Sequence, residues 1–182
     1  MQIFCKILGF VQNNTVSRCS DFLLFFFPMN LYPLDALDRR ILNLLQDNAD
    51  MPLKDLAEQC HASAATCQRR LARLKQNGMV KSVALVSPQA AGCEISVFVQ
   101  IQLEHQDHLI QGAFEAAVRR EPEVAGCYEI SGDYDFMLLV HCRDMHAYHR
   151  FTRRVLGADN RVRTFKSLFI MNFVKAETKI KL

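Results

Sequence analysis

The stretch from Ser63 to Gly78 leaves this chain little conformational freedom. It carries four basic residues (Arg69, Arg70, Arg73 and Lys75) and no acidic one. At 100° per residue, Ala64, Cys67, Leu71 and Leu74 fall on one side, and Thr66, Arg69 and Arg73 on the other. Ala65 and Arg70 lie at the edges of the polar side. Ser63 is an N-cap type of residue, and Asn77-Gly78 is a stop signal, glycine being the usual left-handed residue after a helix. The spacing therefore predicts a helix with a small apolar face for docking on other helices. Its opposite face is cationic and suited to phosphates and base edges.

The preceding residues supply the elements on which that helix would dock. Pro52 suits a first helical turn, where its missing N–H costs nothing. Leu53, Leu56, Ala57 and Cys60 have i, i+3, i+4, i+7 spacing, and Cys60-His61-Ala62 is a short break. Upstream, Leu34, Leu37, Ile41, Leu44 and Leu45 form another apolar stripe, ended by Asp47-Asn48-Ala49-Asp50. Three short helices with a tight turn between the last two are the helix-turn-helix plan. A solvated basic face would explain the charge alone. The absence of acids on the third helix favours a nucleic-acid surface.

The net charge of +3 over 182 residues excludes a strongly basic, charge-driven binder. Residues 30–92 hold eight Lys/Arg against six Asp/Glu, with the positive charge concentrated in the one helix. Affinity for double-stranded DNA must then come from local geometry and from pairing of copies. Seven scattered cysteines without a C-x-x-C pair read as reduced, core-filling residues of a cytoplasmic protein. Residues 1–28 differ in character from the rest of the chain. Phe22–Phe27 is apolar but far shorter than the ~20 residues that span a bilayer, and no small-x-small cleavage site comes after it. Membrane association is the weaker reading of this stretch. The expectation is a disordered or non-native extension, with Met29 as the natural start. No membrane partner is expected.

Past Gly78, Met79–Val86 reads as extended, and Ser87-Pro88 to Gly92 as a turn-rich linker. Ile95, Val97, Val99, Ile101 and Leu103 alternate with polar or open-face residues, the mark of a half-buried strand. Residues 106–120 read as a helix with Leu109, Ile110, Ala113, Phe114, Ala117 and Val118 inward. Strands come next at 124–130 and 136–142, then a helix at 144–156 and a long last strand at 162–174. The order β-α-β-β-α-β predicts a ferredoxin-like antiparallel sheet with both helices on one face. The other face carries apolar residues such as Phe98, which predicts dimerisation through it. The fold class is thus α+β: a helix-turn-helix domain over 30–80, a linker over 81–92 and a ferredoxin-like domain over 93–182.

The turn Ser131-Gly132-Asp133-Tyr134-Asp135 joins the second and third strands. Its backbone N–H groups can bind a carboxylate, and Asp133 and Asp135 can pair with an ammonium. A turn with both partners suits a zwitterion, although Ser-Gly-Asp is also ordinary turn chemistry.

Taken together, these motifs resemble the leucine-responsive regulatory protein/AsnC family of transcription regulators. The resemblance runs from about Leu34 to Lys175. It is carried by Leu37-Asp38-Arg39-Arg40-Ile41-Leu42, Leu56-Ala57, Ser63-x-x-x-Cys67, Arg69-Arg70-Leu71-x-Arg73-Leu74, Gly78-x-Val80, the Ser131–Asp135 turn and Asp144-Met145. It implies a three-helix, winged helix-turn-helix and a ligand-sensing domain. It further implies dimers that assemble into octamers or larger discs, and regulation by a small amino acid such as leucine or methionine bound between dimers. No enzyme activity and no cofactor are implied, and the setting is cytoplasmic and nucleoid-associated. By position, the implied effector site comprises Gly132, Asp133, Tyr134 and Asp135, with Met145, Leu168 and Ile170 as companions. The chain departs from the family at Ala64-Ala65-Thr66, where prolines are frequent, and at Phe165 and Ser167, where threonines are usual.

The reading expects Arg69, Arg70 and Arg73 to contact the major groove and its flanking phosphates. Ser63, Ala65 and Thr66, at the helix N-terminus, face base edges. Two rivals are weighed. His141, Cys142, His146 and His149 are metal-ligand types, but adjacent strand residues 141 and 142 point to opposite faces, so no metal site is expected. A stand-alone amino-acid-binding module acting through protein contacts is the alternative, and the acid-free helix speaks against it.

Overall fold

The computed structural model describes residues 33–105, 107–157 and 160–182. The expected extension at 1–28 lies outside the described residues. The chain divides into two compact units, one running up to Val83 and including Thr178–Leu182, the other Ala84–Glu177. The last five residues therefore belong with the helices, although the expected boundary places them in the second domain.

The first unit is a trio of helices: α1 (Ala36–Asp47), α2 (Leu53–Cys60) and α3 (Ala64–Gln76). Each end has an identifiable cause. Asp35 caps α1, accepting from the Asp38 N–H, while the Asp38 carboxylate accepts from the Asp35 N–H. Two of the orphan donors of a helix start are thus satisfied reciprocally. Pro52 stands at the N-cap of α2, one residue before the helix. At the other end of α2, His61 adopts the left-handed conformation (φ 52°), and Ala62 N–H returns to Ala57 O at 3.0 Å. A non-glycine residue there carries strain and sets the tight turn into α3. Ser63 caps α3 as expected, accepting from the Thr66 N–H. Gly78 (φ +68°) ends it, with Met79 N–H donating to Leu74 O and Gly78 N–H to Lys75 O, a Schellman closure.

The core of this unit is Ile41, Leu42, Leu56, Ala57, Cys60, Cys67 and Leu74, with Met79 and Val80 packed on it. Leu42 is a core residue outside the expected α1 stripe. Ala64, expected on the docking face, is exposed at the first turn of α3. Residues 79–86, expected as extended, carry no strand pairing, and Val83, Leu85 and Val86 are exposed.

The second unit is β1 (Ile95–Leu103), α4 (His108–Val118), β2 (Val124–Glu129), β3 (Phe136–Cys142), α5 (Met145–Val155) and β4 (Val162–Phe169). The sheet order is β2-β3-β1-β4 and every pairing is antiparallel, the ferredoxin-like arrangement. Val97, Val99, Ile101 and Leu103 meet Phe114 and Val118 of α4 and Tyr148, Phe151 and Val155 of α5 in one core. The Phe114 and Phe136 rings lie 5.1 Å apart. Register places Phe98 opposite both Leu139 and Leu168. Directly paired residues share a face, so these three stand together on the face without helices, as expected for Phe98.

Two expectations for this unit are corrected. α4 buries only the stripe Ile110, Phe114, Val118, leaving Leu109 exposed and Ala113 outside the core. β4 ends at Phe169 rather than Val174. Its partner β1 begins at Ile95, and Ile170 makes the last bridging bond by donating to Ser96 O. Alternation beyond that point has no strand to pair with.

Candidate nucleic-acid interface and effector site

The Ser63 hydroxyl donates to Thr66 Oγ1 at 2.9 Å while accepting from the Thr66 N–H. These two side chains are thereby fixed at the start of α3, beside exposed Ala65. One turn on, Arg69 is exposed and enters no ion pair with any described residue. The helix has no acid in its first turn, and Arg73 and Lys75 complement the dipole in its last.

Arg70, expected at the groove, is engaged within the helical unit. Its Nη1 lies 2.6 Å from Asp35 Oδ2 and 3.4 Å from Asp38 Oδ2. Asp38 is fully buried, and Arg73 Nη2 stands 4.0 Å from it. Arg70 is therefore a brace between α3 and the capped start of α1. The Asp38 N–H, aided by Arg70, holds the Asp35 carboxyl below its ordinary value. Arg40 adds a second brace, donating to the carbonyl of Cys60 at 3.2 Å where α2 ends. Helix α3 thus presents Ser63, Ala65, Thr66, Arg69 and the outer part of Arg73 on one edge. Arg70 orients that edge.

In the second unit the turn at 131–135 is stitched to the end of β1. Asp135 N–H donates to Ile101 O at 2.8 Å, Asp135 Oδ2 accepts from Leu103 N–H at 2.8 Å, and Ile130 N–H donates to Asp135 O. One carboxylate oxygen of Asp135 is thus occupied in holding the turn. Gly132 sits at φ +136°, a conformation that L side chains rarely adopt. Asp133 is exposed and Tyr134 half-buried. An open depression of about 200 Å³ is lined by Gln111, Glu129, Ile130, Ser131, Gly132, Tyr134 and Asp135. Gln111 of α4 and Glu129 of β2 are not among the expected site residues. Nothing in the local pattern of either residue marks it, since only the fold brings α4 beside the turn.

Met145, Leu168 and Ile170 are not in this cleft. The turn adjoins Phe136, the first residue of β3, whereas Met145 begins α5 just after Cys142, the last. Ile170 lies opposite Ser96, which pairs with His141 near that far end, whereas Leu168, opposite Phe98 and so level with Leu139, lies midway along β3. Seven strand residues set Met145 about 20 Å from the turn. One chain therefore groups Gly132, Tyr134 and Asp135 in the cleft, while Asp133 is exposed outside its lining and Met145, Leu168 and Ile170 lie elsewhere. Ser167, a departure from the family pattern, faces the helices and bonds Tyr148 Oη at 2.5 Å.

The histidine and cysteine residues weighed as metal ligands diverge. His141 Nδ1 pairs with Ser96 Oγ at 2.8 Å, and its burial lowers its pKa. Cys142 is buried in the core, and burial pushes its thiol up to about 11. No group of three or more ligand-type side chains forms among the described residues. Cys60, Cys67, Cys93, Cys127 and Cys142 are free thiols. No helix among the described residues is long and apolar enough to cross a membrane.

A helix-turn-helix that offers one polar and basic helix edge, joined to a βαββαβ unit with a polar cleft, defines a ligand-regulated DNA-binding protein. A family model described as winged helix-turn-helix DNA-binding matches residues 34–81, and one described as Lrp/AsnC ligand binding domain matches 96–180. An uncharacterised HTH-type transcriptional regulator of Haemophilus influenzae is 56% identical over 181 residues, 99% of each chain. The DNA-binding transcriptional activator DecR of Escherichia coli is 32% identical over 148 residues, 81% of this chain and 97% of DecR. The crystal structure of a transcriptional regulator from Neisseria meningitidis in complex with L-Met superposes with a TM-score of 0.76 at 30% identity, covering 81% of this chain and 96% of that one. The chain belongs to the Lrp/AsnC family of transcription regulators. It combines an N-terminal DNA-binding domain with a C-terminal ligand-binding domain.

Proposed function

We propose that this chain is an amino-acid-responsive, non-catalytic cytoplasmic regulator that reads double-stranded DNA as a homodimer, the dimers assembling to an octamer or larger. The observation that carries the DNA half is the arrangement of α3, with Arg69 exposed at its edge while Arg70 is engaged with Asp35 and Asp38. In this reading Ser63, Ala65 and Thr66 face base edges, Arg69 and Arg73 reach the groove and phosphates, and Arg70 sets the angle of the helix. The apolar face around Phe98, Leu139 and Leu168 pairs two copies, as a reader of two half-sites needs.

In a gel-shift titration, Arg69→Ala should weaken operator binding by about 1–3 kcal/mol. Arg73→Ala should weaken binding and flatten the salt dependence by about one unit of slope for each phosphate no longer neutralised. Unchanged affinity and slope for both would remove α3 from the interface.

The effector half rests on the cleft beside Gly132, where the backbone of the turn and the carboxylates of Glu129 and Asp135 would meet the two charges of an amino acid, with the exposed Asp133 at its rim. Met145, Leu168 and Ile170 from a second copy complete the site, because none of the three lines the cleft of their own chain. L-Met, found in the complex of the Neisseria meningitidis relative, is the first compound to test. In a thermal-shift screen of the twenty amino acids, a binder at 100 times its Kd stabilises the protein by about 2.7 kcal/mol. Absence of a shift with every amino acid would end the sensing half of the proposal.

A further inference from the structure

The last five residues make a contact that neither DNA reading nor effector binding uses. After β4 the chain runs on through 170–177, and Thr178–Leu182 lies with the helical unit. There it meets one stripe of α1. Gln46 Oε1 accepts from the Ile180 N–H at 2.6 Å, while Gln46 Nε2 donates to the Ile180 carbonyl at 2.8 Å. A single side-chain amide thus satisfies both backbone groups of one residue, as a neighbouring strand would. Asn43 Nδ2 donates to Leu182 O at 3.4 Å, and Lys179 pairs with Asp47. Asn43, Gln46 and Asp47 have i, i+3, i+4 spacing, so one helix stripe holds the segment. Leu182 packs against the Ile41–Leu74 core. The ion pair is largely exposed and contributes little; the two-way amide bond and the Leu182 packing carry the contact.

We propose that Thr178–Leu182 is a strap, docked on α1, that gives the DNA-binding unit a second covalent tether to the chain leaving β4. α1 carries the strap toward its C-terminal end and the Asp35/Asp38 brace to Arg70 at its start. Holding α1 therefore steadies the helix against which α3 is set. Docked and released strap are the two states of the device.

The test compares the full-length chain with Gln46→Ala and with a chain ending at Glu177, without any amino acid added. Alanine keeps α1 intact, since its helix propensity exceeds that of glutamine. Hydrogen exchange at the α1 amides from Leu42 to Asp47 should rise about tenfold in both variants, the signature of easier local opening. Operator affinity should fall severalfold, while exchange in β1 and β3 stays the same. Unchanged exchange at α1 in either variant overturns the strap. Because no effector is present, a failure of the sensing proposal leaves this result unaffected.

Discussion

Arg70→Met is expected to destabilise the DNA-binding unit by about 2–3 kcal/mol, whereas Arg69→Ala should leave its stability within about 0.5 kcal/mol. The two arginines are neighbours in sequence but opposite in placement. Arg70 sits 2.6 Å from Asp35 and 3.4 Å from a fully buried Asp38. Removing it leaves the Asp38 carboxylate in the core with only the Asp35 N–H and the more distant Arg73. The cost falls below the ~3–5 kcal/mol of a fully buried pair because a quarter of the Arg70 side chain still meets solvent. Urea unfolding monitored by circular dichroism would measure it. The double variant Asp38→Leu, Arg70→Met should recover part of the loss, because no unpaired buried charge remains. If Arg70→Met instead weakened DNA binding with no loss of stability, the brace would be wrong and Arg70 would return to the interface.

Phe114→Ala should cost about 3–5 kcal/mol, and the loss should fall on the ligand-binding unit. Phe114 is fully buried, holds α4 on the sheet and packs against Phe136, so its removal leaves a cavity that β1 and β3 are too regular to fill. The helical unit has a separate core, so its unfolding should keep its midpoint. Calorimetry resolving two transitions is the measurement. A common shift of both, or a loss under about 1 kcal/mol, would contradict the two-core description.

Local chemistry makes much of this architecture legible in the sequence. Ser63, Asn77 and Gly78 announce the ends of the recognition helix because a cap and a left-handed residue are short-range requirements. β3 is bounded correctly since turn residues flank it on both sides. The misreadings share one physical origin, a partner remote in sequence. β4 reads too long because alternation persists past the point where β1 begins. Leu109 and Ala113 look inward on a helical wheel, but the sheet accepts only the narrow stripe through Phe114. The pairing of Arg70 with Asp38, 32 residues away and buried, is invisible in the sequence for the same reason. In the cleft, the turn is visible as a motif. Gln111 and Glu129 are not, since only tertiary structure sets α4 and β2 beside Gly132.

The length of β3 between the turn and Met145 has a consequence for how such a sensor works in a cell. With the proposed effector site shared between two copies, a solitary molecule holds only part of it. Occupancy then depends on how many copies are present as well as on how much ligand is, and the response becomes a joint reading of metabolite and regulator abundance. Dilution alone would blunt the response, and accumulation of the protein would sharpen it without altering a single residue of the site.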